Sequence, residues 1–441
     1  MVIDKICRVF TSKEAITKVQ SIVIAVVIIV AAIAGGTAYW YTLPPPGVRT
    51  IKIGVPATIT GWNAAEGTET TRAIRLAVEE INVAGGILGH PLEVVIGDTH
   101  EMEPGVVVDV VEKLITKDKV DVMLTSYCSN ALPEVAMAEE YGIPYMFAGI
   151  AQLWEEMVQE KDYEYVRCLM VSYAAYRTQL PKLVHERWRE KGLFVPENNK
   201  VAMIIQENPY SIYIGEGIRD NFLARGWTET MEELVPTETI TEWGPILTKI
   251  RADPPDIIVS TDYIPASEAA LLEQFLEDPT PSLLFMQYGP SLPEFIDLTG
   301  EKSTGLIWYT VAGFVQDPDV YPRGYTYGQK FLERWGEPPG PIYAAYCYDM
   351  VYIYKQAVEI AGDPFDYKAV ADALLDIDYY GVIGHFVMDP VKKMPKGGVE
   401  YIPMLTFQIW DREQILIGEN PLARQDLREP PWVAEARSKY P

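Results

Sequence analysis

The most chemically suggestive segment is the polar run that joins a strand-like stretch, 120–124, to a helix-like stretch, 131–141. It spans residues 125–130, reads Thr-Ser-Tyr-Cys-Ser-Asn and contains the candidate ligand-binding residues Tyr127, Ser129 and Asn130. We expect a Ser or Asn here to cap the following helix, whose first N–H groups lack intrahelical partners and carry partial positive charge. A ligand carboxylate or carbonyl oxygen could dock at those N–H groups beside a Ser hydroxyl. An ordinary helix cap and a ligand-binding turn both fit this pattern.

A second turn of this kind follows the next strand-like stretch, 145–147. It runs from Gly149 to Gln152 and adds Ala151 and Gln152 as candidates. Ligands of open parallel sheets bind outside the carboxyl ends of the strands, so the backbone of this turn is predicted to line the same crevice. A plain connecting loop is the alternative interpretation.

Motifs for catalysis and for cofactor binding are lacking. The chain has no Gly-x-Ser-x-Gly elbow, no Walker loop, no His-Glu-x-x-His and no Cys-x-x-Cys. Gly215-Glu216-Gly217 lacks the third glycine of a dinucleotide-binding loop. The four histidines are scattered, at positions 90, 100, 185 and 385. We therefore expect no catalytic residues, no cofactor and no metal site.

Composition places these candidates in a large globular protein. The chain has 441 residues, 48% of them hydrophobic, which is more than one core usually organises. The formal net charge of -25 would repel a phosphate backbone, and no basic stripe with interleaved aromatics counters it. Two lobes are expected, and nucleic acid is excluded as a partner.

The N-terminus has the pattern of a transmembrane signal-anchor. A basic leader, 1–21, precedes an apolar segment, 22–41, that ends in Tyr39, Trp40 and Tyr41. Roughly 20 apolar residues span a bilayer, and basic residues favour the cytoplasmic side. The pattern predicts a single-pass cell-membrane protein whose body is extracytoplasmic, with residues 42–50 as a Pro-rich spacer. A cleaved signal peptide is the alternative.

The cysteine count limits the disulfides. Cys7 falls in the leader, which leaves Cys128, Cys168 and Cys347 outside the membrane. Three cysteines permit at most one internal disulfide, and their spacing alone does not choose the pair.

Beyond residue 51, strand-like apolar runs alternate with amphipathic helical stretches. The first series reads strand, helix, strand, helix through residue 141, and a second series begins near Val201. This alternation predicts parallel, doubly wound α/β sheets. Residues 401–410 and 414–417 are predicted to form a β-hairpin near the C-terminus.

Six segments form a recognisable series: Ile51-Lys52-Ile53-Gly54, Thr60-Gly61, residues 76–92, Asp98-Thr99, residues 111–115 and residues 141–145. They closely resemble the periplasmic branched-chain amino-acid-binding proteins, which are class I solute-binding proteins of ABC transporters. The resemblance implies two Rossmann-like lobes joined by a three-strand hinge, with the ligand in the cleft between them. Carried over, lobe one is 51–168 and 305–388, and lobe two is 169–304 and 389–441.

The resemblance also implies site residues. Ser129 matches the serine that holds a ligand carboxylate, Ala151 retains only backbone donation, and Tyr263 and Tyr213 match aromatic contacts of lobe two. Tyr288 is a further lobe-two candidate, although hinge packing is the alternative for it and for Tyr263.

Two positions depart from the family pattern. The acid that would face a ligand ammonium falls at Gly289, and the aromatic after the first strand is replaced by Glu66, with Trp62 nearby. Glu66 and Asp262 are therefore the candidate acids for an ammonium. The alternatives are a solvated loop acid for Glu66 and a helix cap for Asp262.

The function these features predict is that of a solute-binding protein that delivers an amino acid, amide or similar small polar metabolite to ABC transporter permease subunits by hinge closure. A ligand-sensing receptor of the same fold is the alternative. An extracellular hydrolase is a weaker one, since no nucleophile–base pair is found.

Overall fold

The computed structural model describes residues 47–440, apart from 62–63, 101–102, 127–131, 312, 341, 419 and 424. The predicted leader, the transmembrane segment 22–41 and the spacer up to residue 46 lie outside the described residues. Within the described ranges, no helix is long and apolar enough to cross a membrane.

Lobe one is built on a five-stranded sheet in the order β2-β1-β3-β4-β5, with all neighbouring strands parallel. The strands are nearly continuous apolar runs because helices cover both faces of a parallel sheet. They are β1 (Ile51–Ala57), β2 (Leu92–Asp98), β3 (Val122–Thr125), β4 (Tyr145–Phe147) and β5 (Val166–Cys168).

Four helices alternate with these strands: α1 (Ala64–Val83), α2 (Pro104–Lys113), α3 (Pro133–Tyr141) and α4 (Ala151–Glu160). The buried residues of α1 include Thr70, Ala73, Ile74, Ala77 and Ile81, which recur at helical spacing and face the sheet. The predicted α/β alternation of the first series is thus confirmed, and α4 is a further helix that the sequence pattern does not predict.

Lobe two is built on a seven-stranded sheet in the order β15-β14-β10-β9-β8-β6-β7. Its strands are β6 (Lys200–Gln206), β7 (Thr228–Val235), β8 (Ile257–Ser260), β9 (Leu283–Met286), β10 (Ile307–Thr310), β14 (Leu405–Trp410) and β15 (Glu413–Ile417). Its helices are α5 (Ala174–Leu183), α6 (Pro209–Leu223), α7 (Gly244–Ala252), α8 (Pro265–Glu277) and α9 (Pro293–Thr299). The pair β14–β15 is antiparallel, as the predicted hairpin requires.

One boundary differs from the predicted division. Strand β10 pairs with β9 and with β14, so it lies in the lobe-two sheet, whereas residues from 305 onward were assigned to lobe one. The sequence shows that 306–310 is a buried strand but not which sheet it joins, because both sheets accept similar apolar runs. The crossing back to lobe one therefore follows Thr310.

The chain then returns to pack on lobe one. Helix α11 (Tyr343–Ala361) packs against α1, and the Tyr348 and Tyr352 hydroxyls donate to Glu80 of α1 at 2.6 and 2.7 Å. The neighbouring elements are α10 (Pro322–Trp335), α12 (Tyr367–Ala373) and a small sheet of β11 (Asp378–Tyr380), β12 (His385–Asp389) and β13 (Met394–Pro395). The last of these helices, α13 (Pro431–Arg437), contacts lobe two. The indole N–H of its Trp432 donates a hydrogen bond to the Ser282 carbonyl.

Gly215 and Gly217 lie inside helix α6, where close packing leaves no room for a side chain. A Cβ at Gly217 would collide with the Arg177 side chain of α5, and one at Gly215 would lie 2.7 Å from Ile205 of β6. Gly217 therefore lets helices α5 and α6 approach each other.

Cys168 and Cys347 are both buried and free of disulfides. Burial raises the pKa of each thiol far above its ordinary value. Cys128 lies outside the described residues.

Candidate functional site

The carboxyl ends of the lobe-one strands carry the first wall of the candidate site. Ser126 directly follows β3, is buried, and its hydroxyl lies 2.6 Å from the Thr70 hydroxyl of α1. The predicted contacts Tyr127, Ser129 and Asn130 come next and lie outside the described residues, as does Trp62. Helix α3 resumes the described chain, with Leu132 rather than a Ser or Asn at its N-cap position. The predicted side-chain cap is therefore wrong.

The turn 149–152 is not the plain loop that was the alternative. Gly149 and Ile150 both have positive φ, and helix α4 begins directly at Ala151. Ala151 and Gln152 are thus buried in a first helical turn at the carboxyl end of β4. The Gln152 side-chain oxygen is buried and has no hydrogen-bond partner among the described residues, so it could accept a hydrogen bond from a ligand N–H.

Glu66 is also a helix residue and not a solvated loop acid. It lies in the first turn of α1 and is only 6% exposed. The hydroxyl of Tyr288, which follows β9 of lobe two, donates to Glu66 Oε2 at 3.1 Å. This hydrogen bond joins the two lobes across the cleft.

The second wall consists of tyrosines from lobe two and from the start of α11. Among the described residues, the Tyr288 ring has Tyr263, Tyr343 and Tyr210 as neighbours, with centroids 6.3, 6.4 and 6.5 Å away. Tyr173 extends the cluster, 5.5 Å from Tyr210. The rings of Tyr210 and Tyr263 meet Tyr288 edge to face, an arrangement that aromatic quadrupoles favour. Tyr263 and Tyr288 therefore meet in one cluster, which we call the tyrosine wall.

Asp262 has a structural role beside the tyrosine wall. Its side chain is fully buried, and Oδ1 accepts hydrogen bonds from Gln206 Nε2 at 2.9 Å and from the Ile264 N–H at 2.8 Å. Burial raises the pKa of Asp262 to about 6. Because α8 begins at Pro265, Asp262 bonds the turn before the helix rather than capping it. Of the two candidate acids, Glu66 is the one that reaches the other lobe.

Tyr213 lies at the edge of the site, one helical turn beyond Tyr210 on α6. Its ring is covered by the Arg177 guanidinium, whose central carbon lies 4.6 Å from the ring centroid. This cation–π contact between α5 and α6 accounts for the position of Tyr213. No ring-to-ring contact joins Tyr213 to the tyrosine wall among the described residues.

Comparison with known proteins assigns this architecture to a family. A model described as periplasmic binding protein matches residues 50–399, most of the chain. The chain belongs to the periplasmic binding protein family. A solved structure from Silicibacter pomeroyi, named as a candidate branched-chain amino acid ABC transporter, is 31% identical, with a TM-score of 0.80 over 87% of this chain and 100% of that one.

Two curated relatives are more distant. An amino acid binding protein of Pseudomonas aeruginosa is 25% identical over 71% of this chain and 79% of its own length. Leu/Ile/Val-binding protein homolog 7 of Brucella abortus is 21% identical over 79% of this chain and 85% of its own length. Both names describe binding proteins.

Two acids near the cleft of this periplasmic binding protein are missed by sequence reasoning. Glu69, one turn after Glu66, accepts hydrogen bonds from the Gly340 N–H at both carboxylate oxygens. Burial raises the pKa of Glu69 to about 7, against the opposing effect of that N–H. Its spacing of three residues from Glu66 places both on one helical face and is the signal that could have found it.

The other missed acid is Glu268, on α8. Its carboxyl group fills the space that a side chain at Gly289 would occupy. A carboxyl group from a different element therefore lies beside position 289, where the sequence has no acid. No sequence pattern indicates this, since 21 residues separate the two positions.

In the part of the chain that the structure describes, no group of three His, Cys, Asp or Glu side chains is placed to bind a metal ion. The groups that do converge are hydroxyls, aromatic faces and one cross-cleft carboxylate. This set suits recognition of a small polar solute by hydrogen bonds and ring contacts.

Proposed function

We propose that this periplasmic binding protein is the extracytoplasmic solute-binding subunit of an ABC importer, which captures a small polar metabolite between its lobes and presents it to the permease subunits. The observation that carries the proposal is the contact from Tyr288 to Glu66, which joins the two lobes where the carboxyl ends of both sheets meet. A bound solute would gain contacts from both walls only in the closed form, so binding would favour closure.

The chemistry of the walls supports an amino acid, an amide or a related compound. Lobe one offers the first turn of α4, with buried Ala151 and Gln152, as a place for a carboxylate or carbonyl oxygen. Glu66 is the acid proposed to meet an ammonium or amide N–H, because its carboxylate reaches the Tyr288 hydroxyl of the other lobe, whereas the hydrogen bonds that Asp262 accepts from Gln206 and Ile264 lie within lobe two. The tyrosine wall covers the apolar part of the solute.

The sequence supports anchoring of this body by residues 22–41, with the leader 1–21 in the cytoplasm. Folded structure begins at β1, and the prolines at positions 44–46 separate it from the apolar segment. A truncation that starts at Gly47 is expected to yield a soluble, cooperatively unfolding body. Aggregated material would mean that the apolar segment belongs to the fold.

A thermal-shift panel of α-amino acids, short amides and carboxylates tests the ligand proposal. A ligand at about 100 times its Kd adds about 2.7 kcal/mol of stability, which raises Tm by a few degrees. Glu66→Gln should weaken binding of a compound with an ammonium, because a buried cation without a carboxylate partner is costly. Glu79→Gln, on the exposed side of the same helix, is the matched control and should leave affinity unchanged.

Small-angle scattering of the same samples tests closure. A saturating ligand should reduce the radius of gyration, since the lobes rotate about the crossing segments. Ligand-induced stabilisation with an unchanged radius of gyration would contradict hinge closure. Turnover of a bound compound would instead favour a hydrolase.

A further inference from the structure

Glu268 has the most unusual environment of the acids in lobe two. It lies in the first turn of α8 and is fully buried. Among the described residues, no Lys, Arg or His forms an ion pair with it. Carboxylates are almost never fully buried without such a partner, so a structural reason for this side chain is required.

The contacts of Glu268 indicate that reason. The Ser260 hydroxyl at the end of β8 donates to Glu268 Oε1 at 3.3 Å. The other oxygen packs against the backbone of Gly289, where a Cβ would collide with it. Gly289 directly follows Tyr288 and opens a 3-10 turn, Gly289–Ser291, in which the Ser291 N–H donates to the Tyr288 carbonyl at 2.9 Å. The carboxyl group thus lies between the end of β8 and the turn that carries Tyr288.

The position of this turn decides what Tyr288 can reach. The rigid ring of Tyr288 limits how far its hydroxyl can extend from the backbone. Its 3.1 Å hydrogen bond to Glu66 therefore depends on where the backbone at 288–289 lies. We propose that Glu268 is a positioning residue: its carboxyl side chain supports the Gly289 turn and so holds Tyr288 where its hydroxyl meets Glu66 across the cleft. The inference rests on the proposed function only in treating this contact as part of the binding site.

The protonation state follows from the surroundings. Burial, and then the charge of Asp262, raise the pKa of Glu268 well above its ordinary value, while the Ser260 hydroxyl and the Gly289 backbone act in the opposite direction. Asp262 is the titratable group that faces it; the other contacts are a hydroxyl and backbone. A neutral carboxyl has the shape and hydrogen-bonding capacity of an amide, so Glu268→Gln should preserve the support, whereas Glu268→Ala should remove it.

The test is the coupling between Tyr288→Phe and Glu66→Ala, measured as the non-additive part of their shifts in the urea unfolding midpoint. The coupling should persist in the wild-type and Glu268→Gln backgrounds and be lost in Glu268→Ala. Glu273→Gln, an exposed position on the same helix that pairs with Lys302, is the control and should keep it. Coupling that survives in Glu268→Ala overturns the proposal.

Gly289→Ala provides a second route should Glu268→Ala fail to fold. The added methyl group displaces the Glu268 carboxyl from the opposite side and should also abolish the coupling; full retention overturns the proposal.

The pH dependence of stability is a further readout. Wild-type stability should fall more steeply than that of Glu268→Gln as pH rises from 5 to 8, because only the folded wild type retains this proton. Equal slopes would mean an ionised Glu268 and contradict the neutral support. These measurements use no ligand and require the Tyr288–Glu66 contact of this structure to form in solution, so absence of coupling in the wild type also overturns the proposal. Failure of the proposed function appears only in the ligand panel and remains distinguishable.

Discussion

The two walls of the cleft differ in how they present polar groups. The lobe-one wall uses short side chains and the starts of helices, such as Ser126 after β3 and Ala151 at the start of α4. The lobe-two wall uses tyrosine rings, with the buried acids Asp262 and Glu268 behind them. In the proposed function, lobe one would bind a small polar head group and lobe two would supply the area that closes over it. Glu66 belongs to lobe one but has its hydrogen-bond partner in lobe two.

The largest expected effect comes from removing the centre of the tyrosine wall. Tyr288→Ala loses three ring contacts and the hydrogen bond to Glu66, and it should lower the free energy of unfolding by about 3 kcal/mol. Chemical denaturation measures this. Tyr325→Ala, an exposed tyrosine on α10, is the control and should change stability by less than about 0.5 kcal/mol. Equal effects would mean that the ring cluster contributes nothing specific.

The next effect compares the pH dependence of stability that one acid from each wall contributes, the buried Asp262 and the half-buried Glu69. Burial raises the folded-state pKa of Asp262 from 3.8 to about 6 and that of Glu69 from 4.5 to about 7. Each folded acid therefore keeps a proton that the unfolded chain has released. The stability that each contributes is fully present below its unfolded pKa and is lost as pH rises through the folded value.

Asp262→Asn should therefore flatten the decline in stability between about pH 4 and 6, and Glu69→Gln the decline between about pH 4.5 and 7. Each loss is at most about 3 kcal/mol, given about 1.4 kcal/mol per pKa unit. Unfolding free energies measured across this range check both variants. A curve that keeps its wild-type slope in either variant would show that the acid is ionised in the folded protein.

The smallest effect concerns the edge of lobe two. Arg177→Met removes the cation from the Tyr213 ring but keeps a chain that fills the groove at Gly217. We expect a loss of about 0.5 to 1 kcal/mol, the usual size of a partly exposed cation–π contact. Ligand affinity should be unchanged if Tyr213 only packs the α5–α6 contact, and reduced if Tyr213 contacts the ligand. The same ligand panel distinguishes the two outcomes.

Local patterns were enough to predict much of the framework. The alternation of apolar runs and amphipathic stretches predicts β1 to β4, the helices between most of them, and the β14–β15 hairpin, because these features depend on residues close in sequence. The elements that were missed include the strands β5 and β7 and the helices α4, α5, α7 and α9. Strand β7 is an edge strand rich in Glu and Thr, and lacks the apolar run used to recognise the others.

Candidate site residues were harder to predict. Tyr263 and Tyr288 are in the cluster, and Glu66 lies buried at the cleft, although its sequence context favoured a solvated loop. Tyr210, Tyr343 and Glu69 were not singled out. Each resembles ordinary core packing in sequence, since one tyrosine among 27 gives no indication of which face it will occupy.

The sequence by itself determined the class of the protein: the parallel α/β pattern and the segments resembling solute-binding proteins depend on neighbouring residues whose meaning is local. The tertiary structure alone decided which sheet β10 joins, that Tyr288 reaches Glu66, and that Glu268 fills the space beside Gly289. These contacts join residues separated by 21 to more than 200 positions. Backbone hydrogen bonding and hydrophobic periodicity act over a few residues, whereas pairing between distant segments depends on how whole lobes pack.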